Sequence, residues 1–200
     1  MIVYMVLMLY PLLGAGLKYI DDAFDEQVFN KKLAYVTAPV IGVLWTYAMM
    51  VHAASASLLL AIVLGVLLKG KIDNLAFVGG MGTIVAISLV VGVQFLWVPL
   101  IVLTVAALLD EVGNDLVDKS KHLQGTRMWQ KVVVGFFDQR WVAKVAVLVL
   151  GLIGMIPLVF FIALLLFDGA YLGVRWYSLT KQMKRKQAPS ISLQSGYVPT

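Results

Sequence analysis

The stretch LAYVTAPVIGVLWTYAMMVHAASASLLLAIVLGVLL, residues 33–68, contains no Asp, Glu, Lys or Arg. It is too long for a single crossing of a hydrocarbon core, which takes about 20 residues. It reads as two spans, 33–52 and 55–69, joined through an uncharged connection at 51–57. Working outward, further apolar segments fall at roughly 2–20, 75–93, 95–109, 142–156 and 158–177, with 55–69 and 95–109 the shortest of the set. The pattern predicts an all-α fold, a polytopic transmembrane helix bundle of about seven spans. Composition agrees: 61% of residues are hydrophobic and 14% charged, against about 45–50% and about 25% in an ordinary soluble domain. Mean hydropathy is +0.91. Pro39, Pro99 and Pro157 mark kinks or helix starts. The first segment lacks a basic leader and a clear small-residue cleavage site, so it reads as a retained span. Residues 1–187 form the predicted transmembrane domain, and 188–200 (APSISLQSGYVPT) read as a disordered tail.

Charge is distributed in alternation. The first connection carries Asp21, Asp22, Asp25, Glu26, Lys31 and Lys32; the third carries Lys69, Lys71 and Asp73; the fifth runs from Asp110 to Lys144. The second, fourth and sixth connections, 51–57, 92–97 and 154–157, carry none. An odd number of spans therefore places all 16 Lys and Arg and all 11 Asp and Glu on one face. The positive-inside rule makes that face cytoplasmic, with the N-terminus outside and the C-terminus inside. The basic run Lys181, Lys184, Arg185, Lys186 follows the last span. It reads as an anchor facing anionic lipid rather than as a nucleic-acid patch. The chain has no cysteine, which excludes disulfides, thiolate metal sites and Cys nucleophiles. His52 and His122 are too far apart in sequence to read as a metal pair.

Two acidic clusters lie on the charged face. In DDAFDE, residues 21–26, Asp21 and Asp25 are one helical turn apart, as are Asp22 and Asp25 or Glu26. In DEVGNDLVD, residues 110–118, Glu111, Asp115 and Asp118 share a face that overlaps the one shared by Asp110, Asn114 and Asp118. Like charges at this spacing repel, more so at the mouth of an apolar bundle. Mg²⁺ relieves the repulsion, since it takes one or two carboxylates together with phosphate oxygens and water. Asp21, Asp22, Asp25, Glu111, Asp115 and Asp118 are therefore candidate metal ligands. Asp22, Asp25, Glu111 and Asp115 are expected to be central to catalysis. Lys31, Lys71 and Arg127 are candidate diphosphate contacts, and Asn74 is a further candidate substrate ligand. The bland alternative is a solvated cytoplasmic loop whose acids balance nearby lysines. Asp168, within an apolar stretch, is either a functional acid or the partner of Arg175 or another base.

The two clusters resemble the Asp-rich motifs of the UbiA superfamily of intramembrane aromatic prenyltransferases, N-D-x-x-D-x-x-x-D and D-x-x-x-D. Asp21-Asp22-x-x-Asp25 falls on the first three acidic-motif positions, with Asp in place of Asn, and Glu111-x-x-x-Asp115 falls on the second motif with Glu first. Asn30-Lys31-Lys32 is similar to the Asn-Arg pair that trails the first motif. Phe29 stands at the fourth position of that motif, and the chain is about two spans shorter than the usual nine. The resemblance implies a Mg²⁺-dependent transferase that uses an isoprenoid diphosphate in a cytoplasm-facing cavity. The acceptor would be an aromatic ring, glycerol phosphate or another lipid head group. The CDP-alcohol phosphotransferase pattern, D-G-x-x-A-R-x8-G-x3-D-x3-D, is absent. The competing expectation is a non-enzymatic membrane protein, either a subunit of a membrane complex or a transporter. The scarcity of ionisable groups at span centres counts against ion-coupled transport.

Overall fold

Local capping chemistry sets where the helices begin. In the computed structural model, which describes residues 2–70, 74–120, 135–136 and 140–187, seven long helices follow one another: α1 (Ile2–Phe24), α2 (Lys31–Val51), α3 (Ala53–Leu68), α4 (Leu75–Val91), α5 (Trp97–Ser120), α6 (Trp141–Leu152) and α7 (Val159–Gln187). Among the described residues there is no strand. The first backbone N–H groups of a helix have no intrahelical acceptor and need one from elsewhere. Asn30 supplies it to Lys32 at 2.9 Å, His52 Nδ1 to Ala54 at 3.0 Å, and Asn74 to Phe77 at 2.9 Å. His52, to which the sequence assigned no role, is thus the one-residue hinge between α2 and α3. Asn74 is the cap of α4. At the far end of α4, Gly92 closes the helix in the left-handed region at φ +71°.

Four helices, α1, α2, α5 and α7, are long and apolar enough to cross a membrane. Helices α3, α4 and α6 have 16, 17 and 12 residues. At 1.5 Å per residue α6 is only about 18 Å long. Two expected boundaries move. The segment expected to end at 109 continues as helix to Ser120, so the second acidic cluster lies on α5 rather than in a loop. The last span continues from 177 to Gln187 and carries the whole basic run, Lys181 to Lys186, on helix. On α5 the acids do not interrupt the helix: Asp110, Glu111 and Asp115 each meet a partner, respectively the α6 backbone, Arg140 and Lys69.

Helix α1 packs most extensively on α7, and α2 lies between α1, α3 and α4; α5 packs on α3 and α6. The core is a continuous cluster that includes Tyr10, Leu13, Met49, Leu59, Leu103 and Phe160. Gly14 is what lets α1 approach α7, since a Cβ there would stand 2.1 Å from the Phe167 carbonyl oxygen. The opposite sides of these helices expose large apolar residues, among them Tyr4, Met8, Val36, Leu89, Val90 and Ile101. Water would not tolerate so continuous an apolar surface, whereas lipid does. The chain is an integral membrane helix bundle.

Candidate functional site: a charged cavity at one end of the bundle

The last turn of α1 carries Asp21 and Asp22 of the first acidic cluster together with a base one turn earlier. Lys18 Nζ lies 2.6 Å from Asp21 and 2.9 Å from Asp22, the i,i+3 and i,i+4 partners that helical geometry supplies. Asp22 is buried, and its second carboxylate oxygen has no hydrogen-bond partner among the described residues. Beyond α1 the chain turns through Gln27 at φ +50°. There the end of α7 holds it: Lys181 donates to the Val28 carbonyl and Arg185 to the Gln27 carbonyl, each at 3.2 Å, and Gln182 donates to the Glu26 carboxylate. Phe29, which departs from the acidic motif, is a packing residue, with its ring 4.5 Å from Tyr19 and 6.0 Å from Tyr177. Two bases of the C-terminal run are therefore engaged with the protein's own loop.

The acids of α5 go in different directions. Asp110 accepts the backbone N–H groups of Val142 at 3.0 Å and Ala143 at 2.7 Å. It therefore caps α6, whose own N-cap residue, Arg140, makes no side-chain cap. Glu111, only 5% exposed in its side chain, pairs with Arg140 at 2.8 Å. Arg140 sits just before α6 with φ +53° and ψ +50°. Asp115 pairs with Lys69 at the end of α3. Farther inside, Lys144 on α6 meets Asp168 on α7 at 2.5 Å. The base that Asp168 pairs with is Lys144, where the sequence pointed first to Arg175.

One cavity of about 290 Å³ brings the two clusters together, with Asp21, Asp25, Glu111, Arg140 and Tyr171 in its wall beside Leu17, Val66 and Phe77. Tyr171 stands between two bases, its ring 5.3 Å from Lys18 Nζ and 5.5 Å from the Arg140 guanidinium. Burial opposes the charge on Arg140, but Tyr171 and the carboxylates of Glu111, Asp168 and Asp110 more than offset it, raising its pKa above the ordinary arginine value. Glu111 and Arg140 also line a second, smaller cavity of about 40 Å³ whose wall includes Asp110 and Asp168. On the other side, Leu17, Val66 and Phe77 are shared with an apolar cleft of about 60 Å³ between α1, α2, α3 and α4. A charged chamber thus adjoins an apolar one.

Of the residues singled out from sequence, Asp21, Asp25 and Glu111 line the cavity. Asp22 lies behind them, paired with Lys18, and Asp115 is drawn to Lys69. Lys31 is placed over the ring of Phe24 and Asn74 caps α4. Asp118 is on α5, but its side chain, like all of Lys71 and Arg127, lies outside the described residues. Arg140 and Tyr171 are the wall residues that sequence reasoning missed, and Lys18, behind the wall, is the missed partner of Asp21 and Asp22. Lys18 was legible from its spacing to Asp21 and Asp22, whereas nothing local marks Arg140 or Tyr171.

The donor set bears directly on a metal. Among the described residues no three Asp, Glu or His side chains converge as a ready-made ion site. Each of Asp21 and Glu111 already faces a base. The wall does offer separate carboxylates next to an anion-binding guanidinium, which suits a hydrated cation that arrives with phosphate oxygens already attached. Comparisons with protein families, with curated proteins and with solved structures find no match.

Proposed function

We propose that the protein is an intramembrane transferase that takes an isoprenoid diphosphate as donor, with its active site at the charged end of the bundle. The observation that carries this reading is the common cavity. Carboxylates about 90 residues apart in the chain, Asp21 and Asp25 against Glu111, line one chamber with Arg140, and an apolar cleft opens beside it. An amphiphile with an anionic head and a branched hydrocarbon tail matches both halves. By the positive-inside rule the charged end faces the cytoplasm, the N-terminus lies outside and the C-terminus inside.

Asp21, Asp25 and Glu111 are the residues that would hold Mg²⁺, through one or two direct bonds with water and diphosphate completing the shell. When bound, Mg²⁺ would neutralise negative charge on the leaving diphosphate. Arg140 supplies a forked set of donors to phosphate oxygens. Leu17, Val66 and Phe77 hold the first isoprene units out of water. The allylic C–O bond breaks with its electron pair going to the diphosphate. The acceptor nucleophile then captures the allylic cation and loses a proton.

The test is release of diphosphate from geranylgeranyl diphosphate by the purified protein in lipid vesicles, with and without Mg²⁺, across aromatic and glycerol phosphate acceptors. Mg²⁺-dependent release that disappears in an Asp25→Ala, Glu111→Ala double variant is the expected result. Absence of release from the native protein with every acceptor would reject the reading. A second reading, a non-enzymatic bundle, is favoured by one observation: the ion pairs at the charged end neutralise the acids without any ligand. On that reading the double variant alters stability alone.

A further inference from the structure

Among the described residues four bases at the charged end form ion pairs, and these are not equivalent. Lys18 is shared by two carboxylates, Asp21 and Asp22, on its own helix. Lys69 and Asp115 join α3 to α5 without facing the cavity. Lys144 and Asp168 join α6 to α7 deeper in the bundle. Among the described residues only Glu111–Arg140 has both an acid and its base in the cavity wall. The two have unequal exposure, 5% for the Glu111 side chain and 32% for Arg140, so the base is the half that an incoming ligand meets.

The backbone beneath Arg140 is held from outside its own segment. Asp110 takes the N–H groups of Val142 and Ala143, which closes the start of α6 to any other anion. The left-handed conformation of Arg140 then turns its side chain back toward α5, where Glu111 is the neighbour of Asp110 in sequence. One acid of the Asp110-Glu111 pair therefore places the arginine, and the other occupies it.

Resting on the reading of this cavity as a diphosphate site, we infer that Arg140 is its anion-recognising group and Glu111 the counter-ion that must be exchanged, so that anion and divalent cation bind cooperatively. An anion that takes Arg140 removes the guanidinium compensating a nearly buried carboxylate, and such a separation is costly in a low-dielectric wall. A divalent cation that takes Glu111 strips Arg140 in the same way. A cation and a diphosphate entering together replace both partners at once. Asp110 is a positioning residue in this scheme and touches neither ligand.

The experiment measures binding rather than turnover. The full chain in detergent micelles is titrated calorimetrically with inorganic diphosphate, with Mg²⁺, and with each in the presence of a fixed concentration of the other. Reciprocity requires the two ligands to tighten one another by the same factor, expected to be about tenfold or more. Glu111→Gln, which keeps shape but removes charge, should strengthen metal-free diphosphate binding by about tenfold and abolish most of the Mg²⁺ effect. Arg140→Gln should lose diphosphate binding while strengthening binding of Mg²⁺ alone. Asp110→Ala should weaken diphosphate binding and shift binding of Mg²⁺ alone in the same direction as Arg140→Gln, toward tighter, a split that a general loss of packing would not produce. Independent binding of the two ligands by the native chain would overturn the inference without any variant, as would unchanged or weaker metal-free diphosphate binding in a folded Glu111→Gln protein. Cooperative binding without turnover of geranylgeranyl diphosphate would keep this inference and reject the transferase.

Discussion

Two hollows of similar size lie at opposite ends of the bundle, and their walls differ completely. The one at the charged end, about 290 Å³, has three carboxylates and a guanidinium in its wall. The one at the other end, about 260 Å³, is lined by Met49, Met50, Ala53, Val91, Gly92, Val93 and Gln94, with no charged group. The joints differ in the same way. At the uncharged end His52 alone joins α2 to α3, and residues 92–96 and 153–158 make the other two connections. Neutral groups satisfy the exposed backbone there, with His52 capping α3 and the Ser57 hydroxyl accepting the Leu96 N–H at 2.8 Å. At the charged end ion pairs tie different helices together: α5 to α3, α5 to α6, and α6 to α7. Short neutral joints make one end a closed seam. Paired charges make the other end a place where partners can be exchanged, because a charged ligand can substitute for either member of a pair.

The comparison breaks most readily at Lys144 and Asp168, the innermost pair of the charged half. Their side chains are only 6% and 16% exposed. Removing one member leaves a charge without its counter-ion in an apolar wall, at a cost of about 3–5 kcal/mol. Lys144→Ala should therefore lower stability by that amount in reversible unfolding with denaturing detergent. The double change Lys144→Met, Asp168→Leu should recover most of the loss, since buried pairs are replaceable by apolar residues of similar size. A single variant that costs less than about 1 kcal/mol would mean that α6 is held by packing, and that the charged end is not organised by its ion pairs.

A smaller effect separates the glycines. Gly14 faces the backbone of Phe167, which cannot yield as a side-chain end would. Gly14→Ala should cost about 1–3 kcal/mol by prising α1 from α7, and because α1 carries Lys18, Asp21 and Asp22, it should also loosen the cavity. Gly79 and Gly82 have nothing within 4 Å of an added Cβ. Ala at either should be neutral or stabilising by up to about 1 kcal/mol. Of the three glycines in FVGGMG, only Gly80 is used for close approach: a Cβ there would stand 3.1 Å from the Ala38 carbonyl oxygen. Thermal unfolding of the Gly14 and Gly79 variants side by side checks the contrast.

The apolar runs and the uncharged joints were legible in the sequence because both depend on local composition. So was the helical spacing within each acidic cluster. What each acid meets was not legible, because periodicity says which residues share a face and not which helix comes to that face. Glu111 and Asp115 are one turn apart on α5, yet one pairs with Arg140 before α6 and the other with Lys69 just after α3. Arg140 reads locally as a headgroup residue beside Trp141. Its place in the cavity follows from a left-handed backbone and from Asp110, about 30 residues earlier in the chain. The meeting of Asp21 and Asp25 with Glu111 depends in turn on how α1, α5 and α7 pack, which no local pattern encodes.

The smallest effects sharpen the contrast between the ends through their response to salt. His52→Ala removes the acceptor for the Ala54 N–H at the seam, a neutral cap worth about 1 kcal/mol. Asp110→Asn leaves an amide oxygen that can accept one of the two N–H groups at the start of α6 but removes the charge beside the helix dipole, a change of similar size, about 1 kcal/mol. Equal losses at low salt then have different origins. Mobile ions screen charges that solvent reaches and leave a neutral hydrogen bond almost untouched. The stability difference between native protein and His52→Ala should therefore stay constant from low to high ionic strength. The difference for Asp110→Asn should shrink as salt enters the chamber that adjoins Glu111 and Arg140. If both differences stay constant, Asp110 is sealed from that chamber, and the end of α6 is as closed as the seam.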